Sequence, residues 1–191
     1  QDGFSCGWAS DMVFNMVRQV AAAVAEKHPG KMISCAAYGP YAYPPRNRDN
    51  FPANVAIQSC GFLQGAFSPE AWAAERENLM AWSGLAAELY TWEYYLGQMQ
   101  AQFTSFPHIY PRQIARAIRC MREAGVRGMF FEASAAPARP GGRWSDNLLA
   151  NPAEDMLNHY VTWKMLVNAS LDVDGLLDEH FRLFYGPAEK P

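Results

Sequence analysis

The chain has 191 residues, with 16 Lys and Arg against 19 Asp and Glu, for a formal charge of −3. Half of the residues are apolar, enough for a sizeable packed core, which excludes wholesale disorder. Aromatic residues make up 14% and charged residues only 18%, against about 25% in an average domain, so a basic surface tracking nucleic-acid phosphates is not expected. Many rings and little charge suit a cleft that stacks aromatics on a neutral ligand such as a sugar.

Four cysteines, Cys6, Cys35, Cys60 and Cys120, are too few and too scattered for a disulfide framework. No CxxC pair occurs, so the usual zinc and thioredoxin spacings are absent. Cys35 and Cys60 fall inside apolar runs, where a free thiol is expected to behave as a small core residue. No apolar stretch approaches the roughly 20 residues that span a bilayer. The chain begins at Gln1 without a Met and shows no signal-peptide pattern, as a segment of a longer protein would.

In chain order, Ser10 is expected to cap a helix from Met12 to Lys27, with Val13, Met16, Val17, Val20 and Val24 as its apolar stripe and Pro29-Gly30 as its stop. Residues 32–38 read as a buried strand, followed by a loop rich in Pro, Asn and Arg from Tyr41 to Pro52. A second strand covers 54–60. Ser68-Pro69 opens a helix that runs to Trp82, with Pro at its first position. A third strand, 85–92, leads into Glu93-Tyr94-Tyr95. A helix from Pro111 to Glu123 ends at Gly125, and residues 126–132 form a fourth strand. A Pro- and Gly-rich loop, 137–143, precedes a helix through 156–167, and an amphipathic helix covers about 173–184.

Strands apolar along their length and alternating with helices imply an α/β fold with a parallel sheet covered on both faces. Four strands fit either a small open sheet or half of an eight-stranded β/α barrel, which usually needs about 250 residues. Polar and aromatic groups gather just after the strands, at Tyr38, Gln58, Glu93 and Glu132, and both architectures place sites there.

An ordered series of residues carries a family resemblance along almost the whole chain. It comprises Asp2-Gly3 and Cys6, Ser10-Asp11 and Asn15, Tyr38 within AAY, Pro44-Pro45, Asn54-Val55, Trp82 and Trp92-Glu93-Tyr94. It continues with Gly125-Val126-Arg127-Gly128, Phe131-Glu132, the segment Tyr160 to Val167, and Phe184-Tyr185-Gly186-Pro187-Ala188. With these the chain resembles the C-terminal half of the TIM-barrel domain in a large bacterial family of unknown function. That family is similar to glycoside hydrolases, particularly α-glucuronidases and β-N-acetylhexosaminidases. The chain departs from the pattern where Trp92-Glu93-Tyr94 stands for a WDY-like triplet and Met165-Leu166-Val167 for LLW, and it has fewer cysteines near Asp2-Gly3.

The resemblance implies a single domain over 1–191, a partial (β/α)8 TIM barrel comprising its last four β/α units, parallel strands with outer helices. The remainder of the barrel and any export signal would lie outside this chain, with an extracellular or periplasmic location. An oligo- or polysaccharide would be the substrate, with no cofactor, no metal and no nucleic-acid partner.

Glycoside hydrolysis needs two carboxyl groups, about 5–5.5 Å apart for retention and about 6.5–9.5 Å for inversion. Glu93 and Glu132, on neighbouring strand ends about 4.8 Å apart, suit either separation. Glu132 follows Met129-Phe130-Phe131, an apolar surround that would raise its pKa as a general acid requires. It is therefore expected as the acid/base, with Glu93 as nucleophile or orienting carboxylate. Asp2 is a third catalytic candidate. Tyr38, Gln58, Trp92, Tyr94 and His108 are the candidate substrate contacts. Each of these also has a plain structural reading, since strand-end carboxylates cap helices or pair with residues such as Arg127, Arg139 or Arg143. Glu88, five residues before Glu93, projects to the opposite face and reads as structural. Trp72, Trp82 and Trp163 are expected to pack in the core. His28, His159 and His180 show no zinc spacing, and GxGxxG, P-loop and GxSxG patterns are absent.

Overall fold

Local sequence signals place most of the elements in a computed structural model that describes residues 9–61, 68–94, 109–131 and 152–188. The chain divides into two compact units, Gln1–Glu93 with Glu123–Phe130, and Tyr94–Arg122 with Phe131–Pro191. In the first, α1 (Ser10–Lys27) precedes β1 (Ile33–Ala37), β2 (Val55–Cys60), α2 (Pro69–Ser83), β3 (Glu88–Glu93) and β4 (Gly128–Phe131), whose last residue is grouped with the second unit. The sheet is parallel, with strands in the consecutive order β1-β2-β3-β4.

The start of α2 follows its sequence. The Ser68 hydroxyl accepts from the Ala71 N–H at 3.3 Å, and Pro69 occupies a first-turn position whose missing N–H leaves nothing unmade. Gly125 adopts φ +76°, as expected of a glycine that ends the preceding helix.

The start of α1 does not. Ser10 lies inside the helix rather than capping it, and its hydroxyl donates to the Tyr43 carbonyl at 2.6 Å. The buried stripe is Ser10, Phe14, Val17 and Ala21, whereas Met16 and Val20 are exposed. The reason is tertiary. Phe14 meets Trp82 at 4.8 Å and Phe51 at 5.7 Å between ring centroids, and that aromatic cluster sets which face of the helix turns inward.

The same cluster anchors the long loop after β1. The Trp82 indole N–H donates to the Ala42 carbonyl at 2.8 Å, joined by the Asn78 amide. Arg18 donates to the Asp49 carbonyl at 2.6 Å and lies over the Phe51 ring at 4.0 Å. Asp11 accepts from both the backbone and the guanidinium of Arg46, which holds its carboxyl below the usual range. A loop that composition marks only as irregular is thereby fastened at several points along α1.

The second unit contains α3 (Pro111–Glu123, without its last residue), α4 (Pro152–Val167) and α5 (Val173–Tyr185). Leu157, Val161 and Met165 of α4 are buried at a four-residue spacing, and Ile114, Ala117, Ile118 and Met121 of α3 are buried at i, i+3, i+4 and i+7. Asn158, fully buried, accepts from the Tyr110 N–H at 3.0 Å. Asp172 caps α5 by accepting from the Gly175 N–H. Trp163, expected in the core, is 56% exposed and meets Phe131 only edge-on.

Among the described residues, no helix is long and apolar enough to cross a membrane.

Removing the Phe14 ring opens a cavity in the aromatic cluster. Phe14→Ala is expected to cost about 3–5 kcal/mol in urea unfolding, against about 1 kcal/mol for Ser68→Ala, which removes only a cap. Burial also pushes the Glu75 carboxyl up to about 7. A carboxylate raised in the folded state contributes full stability below its ordinary value and loses it as pH rises through about 7. Glu75→Gln is therefore expected to gain thermal stability on the parent between pH 5 and pH 8, as melting temperatures across that range would show. Parallel curves would contradict it.

Candidate functional site

Strand parity decides what the sheet offers. Side chains alternate along a strand, and residues paired across parallel strands share a face. In β3 the burial alternates strictly: Leu89, Thr91 and Glu93 are buried, while Glu88, Tyr90 and Trp92 are half-buried. The register pairs Ala36 with Gln58 and Gln58 with Tyr90, and pairs Cys60 with Trp92. Tyr38, one residue past β1 and still extended, falls in line with Cys60 and Trp92. One face is thus packed, with Ala37, Val55, Ile57, Leu89 and Glu93 on it. The other is half-open. On this second face Ala56 is buried, while Ala36, Tyr90 and Trp92 are half-buried and Ser34 is exposed.

At the carboxyl edge this open face carries Tyr38, Gln58, Cys60, Tyr90 and Trp92. Tyr38 is 53% exposed. Trp92 contacts Phe130 of β4, with ring centroids 4.3 Å apart and planes at 53°. Toward the amino end, Glu88 receives Arg127 in a two-pronged contact, Nε to Oε2 at 3.0 Å and Nη1 to Oε1 at 3.3 Å. Glu88 and Glu93 project to opposite faces, as their five-residue separation requires.

The proposed contacts Tyr38, Gln58 and Trp92 are therefore brought together. Glu93 is not with them. It is fully buried at the end of β3, on the opposite face from its neighbour Trp92. Tyr94 is half-buried just beyond the strand. Glu132, Asp2 and His108 lie outside the described residues, as does Cys6.

Cys35 and Cys60 are half-buried rather than in the core, and Cys60 stands on the open face. Burial raises the Cys35 thiol above its ordinary value, which keeps it protonated and weakly nucleophilic. Among the described residues no group of three His, Cys, Asp or Glu side chains could hold a metal ion.

Three residues escaped the sequence reading. Tyr90 was visible in principle, because it precedes Trp92 by two and must share its face. Phe130 could not be assigned to Trp92 without the strand order. Glu75 had a signal too: with Trp72, Leu79 and Trp82 it follows the spacing of one helical face, so a carboxylate there is driven into apolar surroundings.

A separate open cavity of about 270 Å³ lies between α1 and the loop after β1, lined by Asp11, Asn15, Arg18, Pro45, Arg46 and Asn47. Asp11 and Arg46 bind each other, and Arg18 is committed to backbone carbonyls, so the polar groups here fasten the loop.

The model of a family described as a domain of unknown function (DUF4838) matches residues 5–191. The chain belongs to the DUF4838 family. No curated protein and no solved structure matches it. The family match spans both compact units of this DUF4838 chain, and the family description assigns no activity.

Because Glu93 is wholly enclosed, truncating it leaves a void. Glu93→Ala is expected to cost about 2–4 kcal/mol by chemical denaturation, with Glu93→Gln well below that. Equal, small losses in both would contradict a packed, enclosed side chain.

Proposed function

We propose that this chain is part of a carbohydrate-active protein, similar to glycoside hydrolases, with a saccharide held across the open carboxyl edge of its sheet. The observation that carries the reading is the row Tyr38, Cys60 and Trp92, with the Gln58 amide one pleat below. Half-exposed rings offer stacking surfaces for a pyranose, and an amide and a phenol offer hydrogen bonds to its hydroxyls. The chain composition, rich in rings and poor in charge, agrees with a neutral ligand.

The consecutive strand order, with no reversal, supports reading the four strands as an arc of a β/α barrel, the last four of eight. The remaining strands would come from sequence outside this chain, and the protein would be exported. Glu132 then serves as the general acid, one residue past β4. The burial of Glu93 favours the orienting role for it over that of nucleophile, since an attacking carboxylate needs a path to the sugar. Asp2 is retained as a further acidic candidate, with Tyr94 and His108 as further contacts.

A second reading is favoured by one observation. Glu93 and Trp92 lie on opposite faces, so no carboxylate pair shares the ring-lined face among the described residues. A glycan-binding protein that does not hydrolyse its ligand would look like this.

The two readings are separated by Glu132→Gln and Glu93→Gln assayed on aryl glycosides and oligosaccharides. Hydrolysis by the parent with a loss of at least about a hundredfold in Glu132→Gln supports the enzyme. Saccharide binding by calorimetry with no reducing sugar released supports the binding protein. Unchanged turnover in both variants rejects the carboxylate assignment.

A further inference from the structure

Trp92 is a candidate substrate contact, and its ring partner is not set by its own strand neighbourhood in the sequence. In the sheet its partner is Phe130, from the neighbouring strand β4. The two rings touch at 4.3 Å with planes inclined at 53°, and Phe130 remains 49% exposed. An aromatic side chain on a strand gains from burial, so a phenyl ring left half in water beside a half-exposed indole is a surface still able to bury apolar area.

The surroundings restrict what can cover it. Ring faces carry negative charge density, which attracts C–H groups and repels carboxylates. The neighbours on the same face, Gln58, Tyr90 and Tyr38, are uncharged donors and acceptors. Among the described residues, Glu88 and Arg127 on this face form an ion pair closed upon itself, so the guanidinium is already committed to a carboxylate. A ligand that presents C–H groups on one side and hydroxyls at its rim, without charge, complements this arrangement.

We propose that Phe130 joins Trp92 in a bent aromatic platform that takes the apolar face of a neutral pyranose, with Gln58 and Tyr38 meeting its rim hydroxyls. Phe130 is thereby a residue that selects neutral sugars over uronates. The inference rests on the saccharide reading above and adds to it the second ring and the charge of the ligand.

The test uses the whole chain and follows tryptophan emission and calorimetry during titration with neutral gluco-, galacto- and manno-oligosaccharides. A uronate oligosaccharide and a purine nucleoside serve as comparison ligands. Phe130→Leu keeps the apolar bulk and loses the ring, while Phe130→Tyr keeps the ring; melting temperatures confirm that both fold. The expected result is binding of a neutral oligosaccharide in preference to the uronate, about fivefold weaker in Phe130→Leu and restored in Phe130→Tyr. Equal affinity in the parent and Phe130→Leu overturns the platform while leaving the saccharide reading standing. Preference for the uronate overturns the selection for neutral sugars. Binding of the nucleoside alone, or of no ligand, rejects both the inference and the reading beneath it.

Discussion

Everything the sheet can do follows from the two-residue period of an extended strand. Because successive side chains must take opposite faces, Trp92 and Glu93 cannot serve the same surface while both remain in β3. The hydrophobic effect then decides which face closes. Val55, Ile57 and Leu89 share the closed one, and Glu93 is carried into it by parity. The open face keeps the rings and the amide. A single residue of slippage in register would exchange the two sets and bury the polar and aromatic groups that now meet solvent.

That constraint reshapes the chemistry expected of the chain. A strand-end glutamate beside three aromatic residues reads in sequence as a carboxylate in a ring-lined cleft. In the fold, adjacency in sequence becomes separation across a sheet. The indole instead finds a ring from β4, 38 residues later, and the two define a surface that no local pattern announces. Family membership spans the chain without supplying an activity, so the weight of the functional reading falls on this surface.

Legibility in the sequence tracks how local the deciding interaction is. The α2 start was readable because Ser68, Pro69 and Ala71 settle it within one turn, and the Gly125 turn because a positive φ favours glycine there. The parallel α/β character was readable from short apolar runs alternating with helical periods. The phase of α1 was not. Valines and methionines offered a plausible stripe, but Phe14 turns inward to meet Phe51 and Trp82, partners 37 and 68 residues away. Ser10 likewise gave up the cap for a carbonyl in a distant loop. How far the second face is covered is not legible for a similar reason, since apolar content says how much a strand can bury and not how much of it is covered.

The central claim is that the ring-bearing face at the carboxyl edge, and not the polar cavity along α1, is where this chain meets a saccharide. The most direct measurement is an amide-resolved NMR titration of the chain with a neutral oligosaccharide. The account predicts shift changes centred on Tyr38, Gln58, Cys60, Trp92 and Phe130. Changes centred on Asp11, Asn15 and Arg46, with the sheet residues silent, would contradict it.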